Sequence, residues 1–279
     1  MTRLLEGKPI ADKIREGLKT DIAGLRIKPL LASLVVGNDP ATQSYIKSQI
    51  KAAQELGIEY QLHKLASNST QADILGLLKQ LNNDKSVHGI IIQDPLPKHL
   101  NYKEAVNFID PKKDVEGVHP DNLGRIILGE PKIIPCTAYA VMEMILQAQV
   151  DLCGKEIVIV GHSQIVGKPL ALLLVDKLAT VTICHIGTSK AGRLQEHIKR
   201  ADILIVAVGS PNLIKGEWIK EGGIVIDVGI NCVGDRIVGD VEFEGAKARA
   251  GYITPVPGGV GPLTVVMLMR NLVEAVKIQ

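Results

Sequence analysis

The sequence predicts an α/β protein with two α/β domains, each holding a parallel sheet covered by helices. Two observations support this class. Apolar segments rich in Ile and Val alternate along the chain with segments of helical period. A region rich in Pro, Gly, Asp and Lys, from Asn101 to Pro135, interrupts this rhythm and predicts a short helix and a long connection between domains. The length of 279 residues is sufficient for two modest cores.

In the first half, strands and helices alternate with clear boundary signals. Asp39 is a candidate N-cap with Pro40 at the first helical position, and Gly57 is suited to the residue after the helix end. Ser69 or Thr70 is expected to cap the next helix. The predicted helices cover 9–25, 40–56 and the segment after the second cap, and the predicted strands cover 30–36, 58–65 and 87–92.

The second half predicts a similar alternation from Glu156 onward. The expected strands are 156–160, 180–184, 203–208 and 224–228, and the expected helices are 137–148, 167–178, about 190–200, 216–220, 243–250 and 263–277. Ligands of open α/β sheets bind beyond the carboxyl ends of strands. We therefore expect the loops after Val36, Ile92, Val160 and Val228 to form the site, facing one another across a cleft.

A glycine turn follows the strand that ends at Val160. Gly161 and Gly167 are separated by five residues, and Lys168-Pro169 then begins an apolar helix. Such a turn lets backbone approach a diphosphate at a helix N-terminus. The spacing is neither G-x-G-x-x-G nor that of a P-loop, so an ordinary strand–helix turn is the alternative.

Composition excludes several classes of function. The chain is 46% apolar but only 3% aromatic, its net charge is +2, and it has no basic arm, so binding of nucleic acid or a membrane surface is not expected. The cysteines are isolated and are expected to be buried free thiols, and no histidine spacing indicates a metal site. The N-terminal residues have no signal-peptide pattern, and no apolar run is long enough for a membrane span; a cytoplasmic protein is expected.

Several separated segments together resemble the methylenetetrahydrofolate dehydrogenase/cyclohydrolase family, and they occur in the family's order. They are 36–46, 87–93, 113–117, 161–169, 225–231 and 254–262. The resemblance implies an N-terminal domain of residues 1–135 completed by a C-terminal helix at 263–279. It also implies a Rossmann-type NAD(P)-binding domain at 136–262 and a homodimer joined through that domain.

The same resemblance assigns the folate-binding residues. Tyr45 matches the family's Tyr, but the family's Lys, four residues later on the same helix face, corresponds to Gln49. That Lys is the group thought to support hydrolysis of the methenyl intermediate. Gln has no titratable proton, so it cannot perform general acid–base catalysis. The alternative to a catalytic role is that Gln49 only forms hydrogen bonds at the cleft wall. Ile92 and Gln93 lie at the end of a predicted strand, and Gln93 matches the Gln that lines the folate cleft in the family.

Three further segments contribute to the expected folate site. Asp94 either shapes the turn before Pro95 or adds a carboxylate. Glu116 matches the position at which the family usually has the Asp that binds the pterin ring. Glu keeps the negative charge of that Asp and is one methylene longer. The alternative is that Glu116 is an ordinary charged residue exposed to solvent. The glycine-rich segment resembles the loop that contacts folate, although it would also serve as a hinge: Pro257, Gly258, Gly259, Val260, Gly261.

For the dinucleotide, Gly161, His162 and Ser163 match the phosphate turn, Ile230 matches a residue near the nicotinamide, and Thr264 is a further candidate. Members that use NADP tend to have Arg and Ser where this chain has His162 and Ile186. Yet no acidic residue ends the second strand to bind a ribose hydroxyl, and Lys190 or Thr188 are other candidates for the phosphate. Cofactor choice stays open, with NADP implied by the family and NAD suggested by these residues.

The predicted activity is oxidation of 5,10-methylenetetrahydrofolate by hydride transfer to NAD(P), with Tyr45, Gln49, Gln93 and Glu116 as candidate catalytic residues. Hydrolysis of the methenyl product is implied by the family but is in doubt because of Gln49. Two alternatives are a different two-domain dehydrogenase, which would need an acid–base Lys that we do not find, and a regulator that binds the ligands without turnover.

Overall fold

The computed structural model describes residues 2–279, apart from the side chain of Ala41. The strands are β1 Arg3–Leu4, β2 Leu30–Val36, β3 Glu59–Leu65, β4 Gly89–Ile92, β5 Glu156–Val160, β6 Thr180–Cys184, β7 Ile203–Val206, β8 Ile224–Asp227, β9 Asn231–Val233, β10 Arg236–Val238 and β11 Tyr252–Ile253. The helices are α1 Gly7–Ala23, α2 Pro40–Glu55, α3 Gln71–Asn83, α4 Tyr102–Phe108, α5 Pro120–Ile127, α6 Cys136–Gln147, α7 Gly167–Val175, α8 Ile186–Lys190, α9 Leu194–Arg200, α10 Phe243–Lys247 and α11 Gly261–Ile278, with a 3₁₀ turn at Gly216–Trp218.

The chain forms two compact units. The three-stranded unit contains Lys13–Cys136 and Val265–Gln279, and the six-stranded unit contains the residues up to Asp12 and Thr137–Thr264. The domain bounds 1–135 with 263–279, and 136–262, stay a prediction. The N-terminal strand β1 is part of the six-stranded sheet, because it pairs in parallel with β11, with Arg3 opposite Tyr252 and Leu4 opposite Ile253.

The three-stranded unit has a parallel sheet in the order β3-β2-β4. Its central strand, β2, is buried along its whole length, as expected for an apolar run covered on both faces. Leu34, Ile90 and Ile92 pack with Ile74 and Leu78 of α3 in one core cluster. The carboxyl ends of β2 and β4 therefore meet at one edge of a rigid sheet.

Helix α2 begins and ends as its sequence predicts. The Asp39 carboxylate accepts a hydrogen bond from the Thr42 amide at 2.8 Å, and Pro40 occupies the first helical position. At the other end, Leu56 is the C-cap and Gly57 has a φ of 71°. These signals fix the helix that carries the candidate residues Tyr45 and Gln49.

The connection at 101–135 is more ordered than expected, because it contains two helices, α4 and α5, and is built into the three-stranded unit. The Lys113 ammonium donates to the carbonyl oxygens of Leu81 at 3.0 Å, Asn82 at 2.8 Å and Asp84 at 2.7 Å, at the end of α3. The Ile90 amide donates to the Lys113 carbonyl at 2.7 Å, so the segment runs beside β4. The charge of Lys113 is therefore bonded within the three-stranded unit.

The six-stranded unit has an all-parallel sheet in the order β1-β11-β8-β7-β5-β6. The chain runs from β5 outward to β6 and then returns to the other side of β5 to form β7. This reversal is the topological switch point at which doubly wound sheets bind nucleotides, beyond the carboxyl ends of the strands. The Rossmann-type architecture expected for the second half is confirmed.

Several local expectations were wrong in detail. The helix expected at 190–200 is two short helices, α8 and α9, and an antiparallel hairpin of β9 and β10 follows β8. Cys136 and Cys184 are buried, as expected, but Cys153 and Cys232 are exposed. Among the described residues, no helix is long and apolar enough to cross a membrane.

Candidate functional site

Four polar side chains from α2 and from the strands of the three-stranded sheet form a buried network. Gln49 and Gln93 exchange amide hydrogen bonds, with 2.9 Å from Gln93 Nε2 to Gln49 Oε1 and 3.4 Å in the reverse direction. Tyr60 Oη donates to Gln49 Oε1 at 2.8 Å, and Gln93 Nε2 donates to Ser33 Oγ at 2.9 Å. Gln49 and Ser33 are fully buried. The sequence predicted both glutamines as site residues but not Ser33 and Tyr60. These two residues lie on the paired strands β2 and β3, and only the folded sheet brings them to the glutamines.

The other candidates in this unit lie close to this network in sequence. Tyr45 is half-buried one turn before Gln49 on α2, and Ile92 is buried at the end of β4. Asp94 is exposed in the turn before Pro95, to which it is joined by a cis peptide bond. Burial raises the pKa of Tyr102 beyond its ordinary range, and the carboxylates of Glu116, Asp94 and Asp114 raise it further. Asp94 therefore lies in a turn and also adds negative charge to the surroundings of Tyr102.

The loop 113–117 is fixed by the buried Asp114. Its carboxylate accepts from the amide of Gly117 at 3.0 Å, the amide of His119 at 2.8 Å and Asn122 Nδ2 at 3.0 Å. Gly117 has a φ of 78°, and a Cβ there would lie 2.5 Å from the Ile134 carbonyl carbon, so no other residue fits. Lys113 and Asp114 bond within the fold and are buried, whereas Glu116 is only partly buried.

The surroundings of Glu116 favour its neutral form. Burial and the neighbouring Asp114 carboxylate raise the pKa of Glu116 to about 8. A hydrogen bond from the Cys136 thiol lowers the pKa and offsets part of this increase. The thiol is itself held, because Cys136 Sγ lies 3.4 Å from the Val115 carbonyl oxygen and 3.5 Å from Asn271 Nδ2. A carboxyl group in this state can donate a proton or, once ionised, accept two N–H groups.

The glycine turn after β5 borders a cavity of about 420 Å³ in the six-stranded unit. Gly161 has a φ of 127°, and a Cβ there would lie 2.3 Å from the Ala207 carbonyl oxygen. A Cβ on Gly167 would lie 2.1 Å from the Gly161 carbonyl oxygen. The backbone is therefore packed as closely as a phosphate-binding turn requires, and the volume lies in the range of small-molecule sites.

The predicted cofactor residues divide between two places. Gly161, His162, Ser163 and Ile186 all line this cavity. The structure adds His185, Ser189 and Ser210, which lie beyond the ends of β6 and β7 and which the sequence pattern did not single out. His185 directly follows β6, which was the available signal for that residue.

Asp240 holds the loop after β7 against the cavity and was not predicted. Its carboxylate accepts from the amides of Val208 at 2.7 Å, Gly209 at 3.0 Å and Ser210 at 2.8 Å, and from Asn231 Nδ2 at 2.9 Å. The side chain is fully buried. Four donors compensate the desolvation of this charge, so Asp240 positions the loop without facing the cavity.

A second cavity of about 200 Å³ brings Ile230 together with the glycine-rich segment Pro257–Gly261. Its surface is mostly apolar side chain and backbone, which suits a flat ligand. Gly259 is required, because a Cβ would lie 2.6 Å from the Pro255 carbonyl oxygen. Thr264 lines neither cavity: its hydroxyl donates to the Gly261 carbonyl oxygen at 2.8 Å in the first turn of α11.

Comparison with known proteins identifies the family. Residues 5–116 match the tetrahydrofolate dehydrogenase/cyclohydrolase catalytic domain, and residues 135–279 match the NAD(P)-binding domain of the same family. The chain belongs to the tetrahydrofolate dehydrogenase/cyclohydrolase family. The curated protein "Bifunctional protein FolD 2" of Geobacter metallireducens is 50% identical over 281 residues, covering 99% of this chain and 98% of that protein.

Solved structures of the family have the same fold. The bifunctional FolD methylenetetrahydrofolate dehydrogenase/cyclohydrolase of Campylobacter jejuni is 44% identical with a TM-score of 0.96, covering 100% of this chain and 99% of that chain. FolD of Trypanosoma brucei, solved with NADP and an inhibitor, is 38% identical with a TM-score of 0.95, covering 99% and 98%. The family predicted from the motifs is therefore confirmed, and a site for NAD(P) is part of it.

Replacing Gly167 by Ala tests the turn. The added Cβ clashes with the Gly161 carbonyl, so we expect the Kd for NAD(P) to rise at least about tenfold, the cost of losing one backbone hydrogen bond to a phosphate. Gly76→Ala is the matched control, because Gly76 lies in α3 with no atom within 4 Å of the added Cβ. Calorimetric titration, with circular dichroism to check folding, measures both. An unchanged Kd in a folded Gly167→Ala protein would mean that the phosphates bind elsewhere.

Proposed function

We propose that this protein oxidises 5,10-methylenetetrahydrofolate to 5,10-methenyltetrahydrofolate with NAD(P). The observation that carries the proposal is the presence of both family sites, the Gln93 and Glu116 loops in one unit and the glycine turn with its cavity in the other. The names of relatives with 45–50% identity along nearly the whole chain support the same activity. They do not favour the alternative of a ligand-binding regulator.

The chain's own residues mainly bind and orient. When bound, NAD(P) supplies a nicotinamide ring that accepts hydride from the methylene carbon, and the cationic product is stabilised by its own two nitrogens. No general base is needed for this step, so the protein's task is alignment. The backbone of Gly161 and Gly167 would hold the diphosphate, and the apolar cavity at Ile230 and Pro257–Gly261 would exclude water from the flat reacting groups.

The folate is proposed to bind through Glu116, with Tyr45, Ile92, Gln93 and Asp94 beside it. An ionised Glu116 would accept two N–H groups of the pterin ring, a charge-assisted pairing with defined geometry. Gln93 is held by Gln49 and Ser33, so its position is set before the ligand arrives. Preorganisation of this kind reduces the entropy cost of ordering the site.

We further propose a homodimer joined through the six-stranded unit, in the cytoplasm. This unit exposes large apolar side chains whose burial in an interface would be favourable: Val175, Leu178, Val233 and Ile237. Sedimentation that gives a single monomeric species at micromolar concentration would contradict the dimer.

The primary test is turnover. Purified protein with methylenetetrahydrofolate should reduce NAD or NADP, followed by the absorbance of the reduced cofactor, and the Gly167→Ala protein should do so far more slowly. A folded sample that binds both ligands but shows no turnover with either cofactor would restore the regulator alternative.

Cyclohydrolase activity is the second candidate, and two observations oppose each other. Relatives are named bifunctional. By the resemblance, however, Gln49 takes the position of the family's Lys, and Gln49 is fully buried and hydrogen-bonded to Tyr60 and Gln93. Burial raises the pKa of Tyr60 to about 12, so its hydroxyl stays neutral and does not supply a base. We propose that hydrolysis is weak.

Gln49→Lys should restore hydrolysis of methenyltetrahydrofolate. A Lys beside a cationic ligand in a buried site has a lowered pKa and can transfer protons, which typically contributes about 10²–10⁴-fold. Gln54→Lys is the matched control, since Gln54 is exposed on the same helix. The decay of methenyltetrahydrofolate absorbance measures the rate against buffer. Rapid decay with the unaltered protein would refute the proposal and point to Glu116 as the group that transfers the proton.

Glu116 should make folate binding depend on pH. Because the pKa of Glu116 is about 8, the fraction of the side chain in the carboxylate form increases as pH rises through 8. The carboxylate is the form that would accept the pterin N–H groups. We therefore expect KM for the folate to fall across that range. In Glu116→Gln the trend should be absent, with KM above that of the unaltered protein by about tenfold at high pH, whereas Glu104→Gln, on the exposed side of α4, should keep the trend. A KM that is flat with pH in the unaltered protein would rule out this role.

A further inference from the structure

The C-terminal helix α11 contributes a buried amide to the loop that carries Glu116. Asn271 is 1% exposed, and its Nδ2 atom donates to the carbonyl oxygens of Val115 at 2.9 Å and of Ile134 at 2.7 Å. Val115 directly precedes Glu116, and Ile134 lies two residues before Cys136. The reverse orientation of the amide would set its oxygen against two carbonyl oxygens, so the donors of Asn271 face this loop.

The same amide nitrogen reaches the thiol of Cys136. Asn271 Nδ2 lies 3.5 Å from Cys136 Sγ, and Sγ lies 3.4 Å from the Val115 carbonyl oxygen. The thiol also donates a hydrogen bond to the Glu116 carboxyl group. The Cys136 amide donates to the Glu116 carbonyl oxygen at 3.2 Å, so the backbones of these two residues are paired as well. A continuous set of contacts therefore runs from α11 through the thiol to Glu116.

The single proton of the thiol has two acceptors within reach. One is the Val115 carbonyl oxygen, and the other is the Glu116 carboxylate. Because Asn271 already donates to the Val115 carbonyl, that oxygen does not depend on the thiol. The carboxylate is the stronger acceptor, since it is charged. The S–H group is thus directed to Glu116 whenever Glu116 is ionised.

Resting on the proposed folate site, we propose that Asn271 and Cys136 are positioning residues for the Glu116 carboxylate. The Asn271 amide occupies the competing carbonyl and fixes the thiol, and the S–H group orients the carboxylate that receives the pterin ring. Neither residue needs to contact the substrate. The C-terminal helix would in this way take part in substrate recognition through one buried amide.

Other ionisable groups around the pair do not depend on the thiol. The carboxylate of Asp114 acts on both Glu116 and Cys136, but it is held by three donors of its own loop. Burial raises the pKa of Tyr102 beyond its ordinary range, so its hydroxyl stays neutral. Arg270 of α11 is a cation throughout the range of interest. Burial and the two carboxylates raise the pKa of the Cys136 thiol well above its ordinary value, so it keeps its proton.

The direct test follows the titration of Glu116 by ¹³C NMR of protein labelled at the glutamate carboxyl carbons, with Glu116→Gln to assign the signal. The midpoint in the unaltered protein should lie near pH 8. A hydrogen bond from the thiol favours the charged form, so Cys136→Ala should raise the midpoint by about half to one pH unit. Cys136→Ser keeps a donor and should not raise it. Asn271→Leu should raise it, because the thiol then turns to the Val115 carbonyl.

Substrate binding should follow the same order. At a pH well above the midpoint, Cys136→Ala should raise KM for the folate about three- to tenfold, the effect of one lost hydrogen bond. The kcat and the Kd for NAD(P) should be unchanged, since hydride transfer and the other unit are not affected. In a Glu116→Gln background the same change should have no further effect, because no carboxylate is left to position. Cys153→Ala, which removes an exposed thiol, is the control and should change nothing.

The outcomes separate this inference from the proposed function. An unchanged midpoint in Cys136→Ala, or an equal rise in KM with and without Glu116, would show that the thiol has only a structural role, while the dehydrogenase proposal stands. A midpoint that moves as expected in a protein without turnover would leave the positioning role standing and contradict the proposed function. If Asn271→Leu does not fold, Asn271→Ser, which is smaller and cannot reach both carbonyls, takes its place.

Discussion

Buried carboxylates that bond to backbone amides hold the loops on which the site depends. Asp240 anchors the loop after β7, and Asp227 accepts from the amides of Gly229, Asp240 and Val241 at 2.9, 3.1 and 2.9 Å. Asp114 does the same for the loop that carries Glu116. Burying an ionised carboxylate costs several kcal/mol unless donors surround it. Because each set of donors comes together in only one loop conformation, the buried carboxylate favours that conformation. For Asp227 the donors offset burial only in part, since burial raises the pKa of its carboxyl group to about 6.

These anchors explain why the proposed site needs few titratable groups of its own. The loops present backbone at Gly161 and Pro257–Gly261, and hydride transfer between two flat ligands requires alignment more than proton transfer. Asp240 lies behind its loop and lines neither cavity, whereas Asp227 also lines the cavity of 200 Å³. We expect an enzyme arranged in this way to tolerate a neutral residue such as Gln49 for the oxidation, whereas hydrolysis needs proton transfer.

Local sequence signals predicted most of the fold, and remote pairing accounts for what they missed. The bounds of β2, β5 and β6 agree with the strands expected at 30–36, 156–160 and 180–184, because each is a buried run ended by a turn. β1 and β11 have two residues each and exist only because they pair across 249 positions, from Arg3 to Tyr252. At the site, the glycine turn, Gln49 and Gln93 were recognisable in sequence. Tyr60, His185 and Asp240 were not, since their roles arise from neighbours that the fold brings to them.

The buried network around Gln49 shows what residue 49 contributes to the hydrogen bonds of Gln93. The Gln49 side-chain carbonyl accepts from both Tyr60 and Gln93, and its amide nitrogen donates to Gln93. A Lys has donors only. A Lys there would require the Tyr60 oxygen to become an acceptor, whereas Gln93 Oε1 already accepts from residue 49 and could accept from the ammonium. Gln93 Nε2 would lose its acceptor at residue 49 and keep the one at Ser33 Oγ. The identity of residue 49 thus sets how many acceptors the Gln93 N–H₂ group has within the fold.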